Sequence, residues 1–280
     1  MRRRAILLLV VMASALTVAS GVAWAAQISC PNRAGNLCVG TANKDTMTGT
    51  DRSDEMRAND GSDEMKGRGG ADELLGQAGN DTALGQDGPD TLAGGLGRDT
   101  LSGARAKDRL TGAEGDDGLR GGAADDTYAF NLNNWGDDTI TDTTTANNDP
   151  LTGNFVEFGF PEPLTTSLTV NLTSSELQPE VQNATQSATL NWSNNAIDGV
   201  YVGTNKDDVV RGNGLANTLV VKGDDVQGDD VFGGAGNDWI SVQDFDGGDF
   251  VDCGEDGPGI TDEDQVFLDA NDEPPANCEQ

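Results

Sequence analysis

Apolar residues recur at a fixed interval through the first half of the chain. Met47, Met56, Met65, Leu74, Ala83, Leu92, Leu101, Leu110, Leu119 and Tyr128 stand nine apart. Two residues before each is an aspartate: Asp45, Asp54, Asp63, Asp72, Asp81, Asp90, Asp99, Asp108, Asp117 and Asp126. Five residues before each aspartate is a glycine, with Ala58 as the exception. A period this regular overrides any local reading and defines a repeat architecture.

The unit reads as a turn followed by a strand. Its first six positions, Gly-x-x-Gly-x-Asp in the better copies, carry turn chemistry, because glycine admits positive φ and close backbone approach. The last three positions form a very short strand whose middle residue points opposite to its neighbours. Leu101 is therefore expected to face inward, with Thr100 and Ser102 outward. Consecutive strands fall on opposite sheets, so two units make one coil of 18 residues. Met47, Met65, Ala83, Leu101 and Leu119 stack on one sheet, and Met56, Leu74, Leu92, Leu110 and Tyr128 on the other. The expected fold is an all-β solenoid.

One aliphatic side chain per strand makes a thin core, so the turns must contribute. Coils stacked about 4.8 Å apart bring Asp45, Asp63, Asp81, Asp99 and Asp117 into one column. Asp54, Asp72, Asp90, Asp108 and Asp126 form a second. A ladder of unpaired anions at that spacing is costly. A hard divalent cation between successive turns reverses the sign, and glycine turns expose backbone carbonyls as further ligands. An all-oxygen set of roughly six donors suits Ca²⁺.

Composition agrees. The 280 residues include 48 acidic and 17 basic side chains, a net charge of −31. Such a chain repels nucleic acid and anionic membranes and attracts cations. Histidine is absent, which excludes a Ser-His-Asp triad and a His-Glu-x-x-His zinc site. No Gly-x-Ser-x-Gly elbow or phosphate-binding loop is present either. Carboxylates are everywhere, so no pair stands out for acid–base work.

The chain opens "MRRRAILLLVVMASALTVASGVAWA": a basic stretch, an apolar stretch, then Ala23-Trp24-Ala25, a small-x-small cleavage pattern. Residues 1–25 are read as a secretory signal, and Ser14, Thr17 and Ser20 dilute the apolar run against a permanent anchor. Cys30, Cys38, Cys253 and Cys278 follow it, an even count that in an oxidising compartment points to two disulfides. Of three possible pairings, Cys30–Cys38 with Cys253–Cys278 is preferred, since it clamps each end of the repeat array. Zinc is disfavoured, with no Cys-x-x-Cys and no histidine.

The copies "GGLGRDTLS" (94–102) and "GGAGNDWIS" (233–241) resemble Gly-Gly-x-Gly-x-Asp-x-U-x, the calcium-binding nonapeptide of the hemolysin-type (RTX) proteins. The resemblance covers residues 40–129 strongly and 203–252 loosely. It implies a parallel β-roll with several Ca²⁺ ions held between adjacent turns. The ten aspartates above would be side-chain ligands, with Asp208, Asp230 and Asp238 in the second block. Main-chain carbonyls of Gly70, Gly79, Gly88, Gly97, Gly115 and Gly236 would complete the shells. Asn43, Arg52, Ala106 and Ala124 replace the second glycine, so those turns are expected to bind weakly or not at all. Arg105, Lys107 and Arg109 are candidates to replace an ion at Asp108 with a salt bridge.

The chain thus divides into the signal (1–25), an N-terminal roll (26–129), a non-repeat β segment continuing the stack (130–202), a second, irregular roll (203–252) and an acidic cap (253–280). Strands are expected at Thr139–Thr141, Val156–Phe158, Leu168–Leu172 and Thr189–Trp192. In the second block Asn217 takes an aspartate place, and Asp249 precedes Val251 as Asp238 precedes Ile240. Trp135 and Trp192 are candidate glycan platforms, and no protein or glycan partner can be named. The functional expectation is a secreted, extracellular calcium-binding protein that folds on calcium, with no catalysis and no membrane insertion once the signal is removed. The alternative is a calcium-bridged adhesion or matrix scaffold. An enzyme carrying the roll as an appendage is disfavoured, because the non-repeat segment is too short for a catalytic domain.

Overall fold

The computed structural model describes residues 25–30, 37–130, 136–142, 153–159, 169–171, 181–182, 187–192, 197–204, 207–222, 228–242, 248–254, 264–268 and 274–278. The expected signal, apart from Ala25, and Trp135 lie outside these residues. Every regular element among them is a β-strand.

The strands alternate between faces, as the nine-residue period requires. One sheet has nine strands; its regular part runs through Asp45–Thr48, Glu64–Gly69, Thr82–Asp87, Thr100–Arg105 and Gly118–Ala123, each skipping the strand between. The facing sheet has eleven, including Glu55–Asp60, Glu73–Ala78, Thr91–Leu96 and Arg109–Glu114. A third, of four strands, takes over opposite the second in the C-terminal part and carries Val210, Val231 and Val251 inward. Pairing within the regular roll is parallel and in register at 18 residues, as in Ala83↔Leu101↔Leu119 and Leu74↔Leu92↔Leu110. The fold is a parallel β-roll.

The core is the inward stack. Met47, Met56, Met65, Leu74, Ala83, Leu92, Leu110, Leu119 and Tyr128 are wholly buried, with Leu101 at 1 % exposure. Thr100 is exposed and Ser102 half-buried, as expected. Leu84, beside the small Ala83, is also half-buried and takes no core place. The stack continues past the break in period: Leu119 pairs with Ile140, and Tyr128 with Val156, Val200, Leu219, Ile240 and Val266 in turn.

One expectation is corrected. The strand occupies six residues rather than three, as in Thr100–Arg105, and only three residues turn the corner. The first three turn positions therefore already lie in the strand, where Gly103 is buried beside the core.

Both ends are clamped. The structure contains Cys30–Cys38 and Cys253–Cys278 disulfides, and Cys30, Cys38 and Cys253 join the hydrophobic core while Cys278 packs against it.

Candidate metal centre: buried aspartate ladders

Each repeat aspartate turns inward. All ten in the first block are at most 3 % exposed. The main-chain N–H of one donates to Oδ1 of the aspartate one coil on. In the first column Asp45, Asp63, Asp81 and Asp99 donate to Asp63, Asp81, Asp99 and Asp117 over 2.6–2.7 Å. In the second Asp54, Asp72, Asp90 and Asp108 donate to Asp72, Asp90, Asp108 and Asp126 over 2.8 Å. The aspartate carbonyl binds the next coil as well, as in Thr100 N–H to Asp81 O at 2.8 Å. Side chain and backbone of one residue thus tie adjacent coils together.

The second carboxylate oxygen has a different fate. Oδ2 of Asp63, Asp72, Asp81, Asp90, Asp99, Asp108, Asp117 and Asp126 is buried without a hydrogen-bond donor. From Asp72 onward it sits against the glycine five residues earlier; at Asp63 that place is Ala58. A methyl on Gly94 would lie 2.2 Å from Asp99 Oδ2, and the equivalent distance is 2.1–2.4 Å from Gly67 to Gly121. This is why the first position is glycine. The fourth is glycine because its φ is strongly positive and the preceding coil comes very close. Gly97 has φ +121°, and a methyl there would lie 2.2 Å from Gly79 O. The second position is also left-handed, even where it is Arg68 (φ 84°) or Gln77 (φ 80°).

The electrostatics follow. Burial, opposed by the donated amide, lifts the carboxyls of Asp63, Asp72, Asp81, Asp90, Asp99 and Asp117 to about 6, and neighbouring carboxylates add to it at all of them but Asp90. The same causes take Asp108 and Asp126 to about 7 and Asp138 to about 8. A buried carboxylate with one hydrogen-bonded and one bare oxygen is unfavourable as an anion. Protonation or a cation relieves it. The donors are all hard oxygens, which fits Ca²⁺. Among the described residues no three acidic side chains converge on one point; each turn offers one carboxylate. Any ion there would need main-chain carbonyls too. Those of Gly70, Gly79, Gly97 and Gly115 lie against the glycine of the next turn, and Gly88 and Gly236 occupy the same kind of left-handed turn.

The ladders run further than the regular period. Asp117 N–H donates to Asp138, 21 residues on, and Asp126 N–H to Asn154, 28 on. Asn154 N–H then reaches Asp198 across 44 residues. In the last part Asn217 donates to Asp238 and Asp238 to Asp264. A third ladder runs Asp208, Asp229, Asp249. Asp230 is corrected here: it is exposed at the start of a strand, and Asp229, 2 % exposed, holds the ladder place. The basic residues around Asp108 do not pair with it either. Arg105 binds Asp87, Lys107 binds Asp125 and Arg109 binds Glu157, all on the outside of the roll. Sequence reasoning missed Asp138, Asn154, Asp198, Asp229 and Asp264.

Where the regular roll ends, side chains take over. The Tyr128 hydroxyl accepts from Gly121 N–H at 2.8 Å and donates to Asp142, which also accepts from Gly122 N–H at 3.2 Å. Burial and the Asp142 charge raise the phenol pKa well above its usual value.

The architecture defines a class: a parallel β-solenoid whose turns carry stacked, buried carboxylates. The family model of the RTX calcium-binding nonapeptide repeat matches in overlapping windows from residue 39 to residue 140 and again over 227–242. Residues 39–140 and 227–242 thus carry RTX nonapeptide repeats of the calcium-binding type. Comparison with curated proteins gives no match.

Proposed function

We propose that this is a secreted, non-catalytic calcium-binding protein whose roll folds on calcium outside the cell. The observation that carries the reading is the row of bare, buried Oδ2 atoms from Asp63 to Asp126, set against a glycine from Asp72 onward. Calcium would lie between turns, held by these carboxylates and by glycine carbonyls. Its charge would remove the electrostatic cost that burial imposes. Extracellular calcium is millimolar, so modest affinity per site suffices, and binding to the folded state alone stabilises it by mass action. Secretion is supported by the leader-like residues 1–25 and by two disulfides, which persist in oxidising compartments. Absence of catalysis is supported by the lack of histidine and by the commitment of the repeat carboxylates to ladders.

The test is far-UV circular dichroism of the disulfide-intact protein titrated from EDTA into millimolar calcium, with magnesium as control. A steep gain of β signal specific to calcium is expected. An unchanged spectrum would remove calcium from the folding reaction.

A further inference from the structure

The turns are of two kinds. In the glycine turns, from Asp63 to Asp126, the second position is left-handed and Oδ2 is bare. In four others the chain closes on its own sixth residue. Thr41 donates its N–H to Asp45 Oδ2 at 2.5 Å and its hydroxyl to Oδ1 at 3.2 Å. Thr50 donates N–H and hydroxyl to Asp54 Oδ2 at 2.6 and 3.0 Å, while Asp54 Oδ1 stays buried without a donor. The Thr204 hydroxyl donates to Asp208 Oδ2 at 2.7 Å. Asn213 N–H donates to Asn217 Oδ1 at 2.8 Å. None of these four second-position residues is left-handed. With glycine or another left-handed residue there, the second-position donors make no such bond and Oδ2 is left buried without a donor.

We propose that the closed turns at Asp45, Asp208 and Asn217 need no cation, because the second-position residue supplies the donors a cation would replace. This rests on the proposed calcium function and narrows it: calcium is held by the glycine turns from Asp63 onward, and the closed turns form cation-independent ends to the blocks that contain them. Asn217 is the internal control. A closed turn there tolerates a neutral amide at the ladder place, and its Oδ1 is satisfied by the same amide geometry.

The experiment compares Asp45→Asn with Asp90→Asn in the full disulfide-intact protein. Bound calcium is counted by equilibrium dialysis with radioactive calcium, and the calcium midpoint is read by circular dichroism. Asp45→Asn should leave the amount bound unchanged and move the midpoint by less than about twofold. Asp90→Asn should lose bound calcium and raise the midpoint by roughly tenfold, the loss of one charged ligand. Thr41→Gly, which opens the turn without touching a carboxylate, should increase bound calcium or raise the calcium requirement. Equal effects of the two asparagine variants, or an inert Thr41→Gly, would overturn the inference while leaving the calcium function intact. Wild-type protein that binds no calcium would overturn both.

Discussion

The main-chain amide of Asp99 donates to Oδ1 of Asp117, 18 residues on and 2.7 Å away, while Oδ2 of both residues has no donor. Half of each carboxylate is used to set the spacing of the coils. The other half is left for a proton or a cation. The backbone bond explains why the carboxylates hold a fixed position; the bare oxygen explains why the position is unstable as an anion.

A pH dependence follows with a definite sign. These carboxyls sit at about 6 to about 8 when folded, above the value of about 3.9 for an unfolded aspartate. The folded state therefore holds more protons across that interval, and stability falls as pH rises through it. Calcium-free protein should show more β signal near about pH 4.5 than near about pH 7.5, measured by far-UV circular dichroism in chelator. In saturating calcium the order should reverse, because protons then compete with the ion.

The glycine positions separate by mutation. Gly94→Ala would place a methyl 2.2 Å from Asp99 Oδ2, so the carboxylate must move, at a cost of about 1–3 kcal/mol. Gly118→Ala meets nothing nearer than Asp99 O at 3.9 Å, and should be neutral or stabilising by about 0.4–1 kcal/mol. Thermal unfolding of both in calcium checks the pair. Equal effects would mean that glycine is kept for chain entropy and not for the carboxylate.

Tyr128→Phe tests the junction where the period ends. The variant keeps the packing of a wholly buried ring but deprives Gly121 N–H of its acceptor and Asp142 of a donor. An unfolding cost of about 1–3 kcal/mol is expected. Hydrogen exchange should show the loss at residues 121–142 first.

The regular roll was legible because each strand repeats one aspartate, one inward aliphatic and one glycine at constant spacing. Asp99 and Leu101 illustrate it: both take the places that the period assigns. The continuation was partly hidden. Asp138-Thr139-Ile140, Asp198-Gly199-Val200, Asp229-Asp230-Val231 and Asp264-Gln265-Val266 all keep the local signature of an aspartate two residues before an inward apolar residue. The loops between them vary from 20 to 44 residues per ladder step, so counting by nine loses them. The strand length was misjudged for another reason: a glycine with positive φ looks like a turn in sequence, yet a left-handed residue within a parallel strand keeps its pairing, as Gln77↔Gly95 does. The closed turns had a signal too. Gly-Thr recurs at 40–41, 49–50 and 203–204, but only the donor geometry gives the dipeptide its meaning.

The first ladder begins at Asp45, and the cleavage expected after Ala25 would change its chemistry. Asp45 is wholly buried, and its Oδ1 accepts from Ala26 N at 3.2 Å, the place that an aspartate amide fills elsewhere in the ladder. Cleavage after Ala25, the site expected from Ala23-Trp24-Ala25, converts that amide into an α-ammonium. A neutral donor becomes a cation beside the terminal carboxylate, and the ladder gains a capping charge. The protein beginning at Ala26 should therefore be more stable than one retaining Ala25 or one acetylated at Ala26. A partly exposed pair of this kind contributes about 0.5–1 kcal/mol. The gain should fade as pH rises through about 8, where the α-amino group loses its proton. Chemical denaturation of the three forms at two pH values decides it. Equal stability throughout would leave Ala26 as an ordinary strand residue.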